Sequence, residues 1–188
     1  FLTKTEEDPE LQAEFAAQEE AEFASHTATP TVLAESAEVV SPLAGQVKPL
    51  GQATDPVFSS GVMGQGVVIE PSQGELVSPV NGTVTVLFPT KHAVGIVSEE
   101  GVEMLMHIGM DTVSLDGKGF VAHVEQGDKV VVGQQLISFD MDVIKKAGLV
   151  TETPVIITNQ DDFQADVEGD LPRDIKRGDA LMIAHRTK

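Results

Sequence analysis

From Val39 onward the sequence runs in short Val, Ile and Leu stretches, broken at close intervals by Gly, Pro, Asn and Asp. Such punctuation leaves little length for helices and favours antiparallel strands joined by tight turns. The expected fold is all-β, an antiparallel sandwich or barrel with one or two short helices. "SPVNGTVTVLF" and "HAVGIVSEEGVEMLMHI" are the clearest passages. One helix is expected at "DMDVIKKAGL", with Asp140 or Asp142 as cap, Lys145 and Lys146 near the negative end and Gly148 as the stop. "SPLAGQV" at Ser41 recurs as "SPVNGTV" at Ser78, and each copy reads as a turn feeding a strand.

Residues 1–38 are written differently, with ten acidic residues against the single Lys4. Asp8 followed by Pro9 is a helix start, and "ELQAEFAAQEEAEFA" favours a helix by propensity. Its apolar stripe of Leu11, Phe15 and Phe23 is thin. "SHTATPTVLAESAE" has the composition of an extended tether. The expected organisation is an acidic, partly helical or disordered linker over 1–38 and a folded domain over 39–188.

The formal charge of −18 argues against nucleic acid and anionic lipid surfaces and suits a basic partner drawn in electrostatically. Without cysteine, no disulfide framework or zinc ribbon is possible. No apolar run approaches the roughly 20 residues of a membrane helix, and nothing resembles a signal peptide. A chain that starts at Phe1 is expected to be a piece of something longer.

"MLMHIGMD" places a histidine inside an apolar strand. Strand alternation puts Met104, Met106, Ile108 and Met110 on one side and Leu105, His107, Gly109 and Asp111 on the other. His107 thus leaves the core face and is expected to be exposed. His92 sits on the preceding run, joined through "SEEG" at Ser98–Gly101. A four-residue loop sets Val97 opposite Val102 and His92 opposite His107, side by side on one face. A three-residue loop ending in Gly101 puts the rings on opposite faces.

Two adjacent imidazoles could hold a metal, with Asp111 adding a carboxylate. They could instead carry a phosphoryl group, one ring attacking phosphorus while the other donates hydrogen bonds to its oxygens. That chemistry needs a neutral nitrogen whose tautomer is fixed by a partner on the other nitrogen; Gly109 could lend its carbonyl and Thr90 could orient His92. On spacing alone, two histidines without a role fit as well. His26, His123 and His185 lack neighbours of useful chemistry. The glycines of "GVMGQG" read as turn and bulge residues, Asp128 and Asp179 as turn signals, and the six Met as core filling.

"TKHAVGI", "GVEMLMHIGMDTVSLDGKGF" and "GDKVVVGQQLISFD", with "SPLAGQV", "DPVFSSGVMGQGVVIEP" and "TPVIITN", together resemble the glucose-type enzyme IIA domain of the bacterial sugar phosphotransferase system. The resemblance runs from about Val39 to the C-terminus and implies an antiparallel β-sandwich. It also implies that His107 is the phosphorylated nucleophile, His92 the partner contacting the phosphoryl group, Thr90 the hydroxyl positioning His92, and Gly109 the carbonyl orienting His107. Asp55 and Asp111 match rim carboxylates that meet arginine on a basic histidine-containing phosphocarrier protein. Phe58 and Phe88 match apolar residues ringing the site, which could exclude water from a hydrolysable phosphoramidate. Leu105, Ile108 and Val94 stand where family members often carry phenylalanine around the active ring, which bears on partner preference.

The resemblance further implies transfer to a cysteine on an enzyme IIB domain and finally to sugar during uptake. A membrane-embedded enzyme IIC domain is expected on the same polypeptide, with this domain on the cytoplasmic side of the membrane. No cofactor and no resident metal are expected, although some relatives bind zinc through the two histidines when docked on another protein.

Three other functions compete. One is a regulatory IIA-like domain behind a non-phosphotransferase sugar permease, using the same residues. Another is a zinc peptidase-like domain with His92, His107 and Asp111 as ligands, which lacks an evident general base. A lipoyl- or biotinyl-type carrier needs a modified lysine at a hairpin tip, and Lys91 has no such setting.

Overall fold

A computed structural model describes residues 34–187. The helix expected after Asp8, most of the tether and His26 lie outside the described residues. The sheet begins slightly earlier than the change in composition suggests. Strand β1 (Ser36–Val40) pairs antiparallel with β14 (Ala180–Arg186), Ser36 opposite His185. Ala37 and Val39 face the core while Ser36 and Glu38 face water, a period of two that starts three residues before Val39.

Eight antiparallel strands form the central sheet, in the spatial order β13 (Arg173–Ile175), β2 (Gly45–Pro49), β3 (Gln65–Pro71), β11 (Thr153–Ile157), β7 (Glu103–His107), β6 (Ala93–Ser98), β5 (Gly82–Leu87) and β9 (Lys129–Val130). Two three-stranded sheets complete the fold. One is β1–β14–β12, with β12 at Phe163–Val167; the other is β4 (Glu75–Val77), β10 (Gln135–Phe139) and β8 (Phe120–Ala122). The expected antiparallel all-β architecture is therefore present. Its helices are short, α1 (Pro56–Ser59) and α2 (Met141–Lys146).

Helix α2 forms where the capping pattern placed it. The Asp140 carboxylate accepts from the backbone N–H groups of Asp142 and Val143, Lys145 and Lys146 occupy the last turn, and Gly148 at φ +78° ends it. Only Ile144 of the helix is buried, so one turn of apolar contact anchors it.

The main core lies between one face of the central sheet and the two smaller sheets. Val67, Ile69, Val94, Ile96, Met104, Met106, Val155 and Ile157 meet Val39, Phe120, Ile137, Phe163 and Met182 there. The other face is covered as well. Val68, Ala93, Leu105 and Ile156, the alternate residues of the same strands, and Val86, turned to this face by the register shift after Val84, pack with Ala53, Phe58, Phe88 and Met110 in a second cluster. Strands β6 and β11 are consequently buried along their whole length.

The repeated "SP" motif has a shared geometry. Ser41 Oγ donates to the Leu43 carbonyl and Ser78 Oγ to the Val80 carbonyl, both at 2.7 Å. The copies also bond each other reciprocally, Val40 N–H to Pro79 O at 3.1 Å and Val77 N–H to Pro42 O at 3.0 Å. They form a local pseudo-twofold that joins the sheets. Both hydroxyls are fully buried, so Ser41→Ala and Ser78→Ala should each destabilise the fold by about 1–2 kcal/mol in urea unfolding.

Candidate functional site

His107 is the last residue of β7, and the turn after it fixes its ring. Gly109 adopts φ +72°, which directs its carbonyl back to accept a hydrogen bond from His107 Nδ1 at 2.7 Å. A carbonyl only accepts, so Nδ1 carries the proton. In the neutral ring Nε2 then holds the lone pair. A side chain at position 109 is doubly opposed, because a Cβ would lie 2.6 Å from Thr112 Cγ2 and 2.8 Å from Val150 O on a left-handed backbone. Gly109→Ala is therefore expected to cost about 2 kcal/mol or more in urea unfolding and to displace the carbonyl that sets the His107 tautomer.

His92 reaches the same place by a route the strand register does not provide. Val97 pairs with Glu103 and the Ser98 N–H bonds the Val102 carbonyl at 2.9 Å, leaving a three-residue loop, Glu99–Gly101, and Ala93 rather than His92 lies opposite His107. The four-residue loop is therefore not formed; the register is that of the three-residue loop ending in Gly101, which is left-handed at φ +95° and donates its N–H to the Ser98 carbonyl at 3.0 Å. The rings nevertheless meet because His92 precedes β6. Pro89 starts a tight turn closed by Lys91 N–H to Phe88 O at 2.8 Å, and Lys91 is left-handed at φ +58°. That turn releases His92 from alternation. Its ring lies edge-on to His107 with centroids 4.9 Å apart. Thr90 Oγ1 sits 2.6 Å from His92 Nδ1. When the hydroxyl donates, His92 Nε2 bears the proton, complementary to the lone pair on His107 Nε2.

The pair is buried, not exposed as expected from the outer face. His92 is 0% and His107 8% accessible, because the second cluster closes around them. Phe58 stands 5.2 Å from His107 and Phe88 5.6 Å from His92, between centroids. One assignment by alternation and two from the resemblance need correction. Met110 belongs to the histidine side, because the strand has ended and the Gly109 turn reverses the phase. Ile108 and Val94 belong to the main core on the opposite face, so of the three residues expected around the active ring only Leu105 is on its side.

The carboxylates occupy the margins. Asp55 Oδ1 accepts from the Val57 N–H at 2.9 Å and caps α1, which carries Phe58. Asp111 is exposed and left-handed at φ +58°, its carbonyl accepting from Ser114 Oγ at 2.7 Å. No group of three His, Cys, Asp or Glu side chains able to hold a metal ion occurs among the described residues.

One charged group near the site was not anticipated. Glu152, just before β11, accepts from the Thr54 N–H at 3.0 Å and Thr54 Oγ1 at 2.8 Å, and meets Lys48 Nζ at 3.3 Å. Burial, the largest influence, pushes its carboxyl up, but the Thr54 bonds and the Lys48 charge together hold it below the ordinary glutamate range. A lowered folded-state pKa adds stability that is full above the unfolded value of about 4.3 and disappears as pH falls through the lowered one. The gap in melting temperature between the parent and Glu152→Gln should be widest near neutrality and close as the pH drops through that range.

The residues set aside have local partners of their own. His123 Nε2 contacts Ser138 Oγ at 2.8 Å and His185 Nε2 lies 3.6 Å from Asp166, all on the surface. Asp128 and Asp179 close their turns by accepting from the Glu125 and Lys176 N–H groups.

A family model described as phosphoenolpyruvate-dependent sugar phosphotransferase system, EIIA 1, matches residues 37–163. The chain is 54% identical over 135 residues to the PTS system beta-glucoside-specific EIIBCA component of Bacillus subtilis, covering 71% of this chain and 22% of that protein. It is 49% identical over 153 residues to the component of the same name from Halalkalibacterium halodurans, covering 81% and 24%. The chain thus spans less than a quarter of the length of these curated relatives. The solved structure of glucose permease IIA from Mycoplasma capricolum aligns with a TM-score of 0.73 and 36% identity, covering 81% of this chain and 97% of that one.

Proposed function

The chain belongs to the EIIA 1 family of the phosphoenolpyruvate-dependent sugar phosphotransferase system, a phosphoryl carrier family, and on that premise we propose that the carried group sits on Nε2 of His107. The observation that supports this atom is the Gly109 carbonyl on Nδ1, which leaves the lone pair at Nε2 beside His92. In the loading step this lone pair attacks the phosphorus of a donor phosphohistidine, forming the new P–N bond while the donor's P–N bond breaks. In the delivery step an acceptor thiolate attacks phosphorus, and the bonding pair returns to Nε2. His92, held by Thr90, donates to phosphoryl oxygens as charge shifts between them. Phe58 and Phe88 limit water at the P–N bond.

The donor is a basic histidine-containing phosphocarrier protein, drawn by the −18 charge and paired through arginine to Asp55 and Asp111. The acceptor is the cysteine of an enzyme IIB domain, with an enzyme IIC domain on the same polypeptide, and the sugar is a β-glucoside. Support for these partners comes from the EIIBCA naming of the relatives, which also favours transport over a regulatory role behind an unrelated permease.

The attachment geometry agrees with a tethered carrier. Arg186 Nε donates to Ala34 O and Arg186 Nη2 to Glu100 O, so the chain enters at the tip of the β6–β7 hairpin. The histidines lie at the other end of that hairpin. A domain held there turns its phosphorylated end outward. No helix among the described residues is long and apolar enough to cross a membrane, which suits the soluble part of a membrane transporter, on its cytoplasmic side.

Incubation with phosphoenolpyruvate and the general carrier proteins should add one phosphoryl group to the intact mass. No gain under conditions that load a known domain of this family would contradict the reading.

A further inference from the structure

We propose that Glu152 is a positioning residue of this site, holding Thr54 so that the Phe58 ring stays seated over His107 and the phosphoryl group is protected from water. The proposal rests on His107 being the carrier. The segment bearing Phe58, residues 50–64, lies outside the sheets and contains only a three-residue 3-10 turn and the four residues of α1. A wall built from so little regular structure needs an external anchor. Both long-range hydrogen bonds of Thr54 go to one Glu152 oxygen, from a residue 98 positions away. Thr54 directly precedes Asp55, the cap of the helix that carries Phe58.

The same short stretch of chain also supports the opposite wall. Val150 O accepts from the Met110 N–H at 3.2 Å, next to the Gly109 carbonyl that fixes the His107 ring. Residues 150–152 therefore tie the turn that orients the nucleophile to the segment that covers it. The second Glu152 oxygen meets Lys48, which itself lies 3.4 Å from Glu70, so the carboxylate is aimed from the sheet. With its side chain only 13% exposed, Glu152 has a geometry a surface ion pair lacks.

The step at issue is hydrolysis of the phosphorylated chain. Water oxygen bonds to phosphorus, the P–Nε2 bond breaks, the electron pair returns to Nε2, and inorganic phosphate leaves. Loosening the wall admits water to that line of attack.

The test is the rate of phosphate release from the phosphorylated chain, followed by intact mass and by free phosphate. Glu152→Ala and Phe58→Ala should each shorten the lifetime several-fold, and the double variant should be no shorter-lived than Phe58→Ala alone. Glu152→Gln, whose carboxamide oxygen still accepts from Thr54, should recover most of the lifetime despite losing charge against Lys48. Ser41→Ala, destabilising at the opposite face, should leave the lifetime unchanged. If Glu152→Ala does not fold, Thr54→Val must shorten the lifetime by itself. A parental lifetime in Glu152→Ala, or independent multiplicative effects in the double variant, would overturn the positioning role. Failure of the parent chain to take phosphate would instead overturn the carrier reading beneath it.

Discussion

His107→Gln should accept no phosphate: its mass stays that of the unmodified chain after incubation that loads the parent fully. The carboxamide of glutamine is of similar reach and polarity but has no lone pair of comparable nucleophilicity at the Nε2 position, so no P–N bond forms. The fold should tolerate the change, since Gln can still donate toward the Gly109 carbonyl that now receives Nδ1–H. Circular dichroism and melting close to the parent, combined with complete loss of loading, separate lost chemistry from lost structure. Loading of this variant to the parental extent would mean that another residue carries the group.

His92→Ala should show the second largest effect, and a different one. His107 retains its lone pair and its Gly109 partner, so the variant still gains one phosphoryl group. Exchange with donor and acceptor should slow by about 10²–10³-fold, the usual consequence of removing one preorganised donor from a developing charge. Thr90→Val, which removes only the hydroxyl beside His92 Nδ1, should lie between the parent and His92→Ala. Stopped transfer with single-turnover resolution distinguishes the variants. Equal rates in all three would remove His92 from the mechanism.

The fold was readable because its signals are local. Capping residues at Asp140 and turn residues at Ser41 and Ser78 act within a few positions of themselves, and the structure forms α2 and both turns there. The candidate pair was readable in identity, since "KHAVG" and "MLMHIGM" bracket one hairpin, but its geometry was not. Register depended on Ser98 pairing with Val102 across a three-residue loop, and proximity depended on a left-handed Lys91, neither of which alternation encodes. Burial of the rings was missed because the covering residues, Ala53 and Phe58, come from a segment with no strand pattern to place it. Glu152 was missed for a related reason. Its only local oddity is an acid between Thr151 and Thr153 at the edge of an apolar run, while Thr54 and Lys48 lie about a hundred positions away in sequence.

The central claim is that phosphate resides on one identified atom, because a backbone carbonyl fixes the proton on its neighbour in the ring. Phosphorus–nitrogen coupling in the phosphorylated, ¹⁵N-histidine-labelled chain tests it directly. The account predicts a single phosphohistidine, with phosphorus coupled to Nε2 of His107 and Nδ1 still protonated toward the Gly109 carbonyl. Coupling to Nδ1, or to either nitrogen of His92, would contradict it.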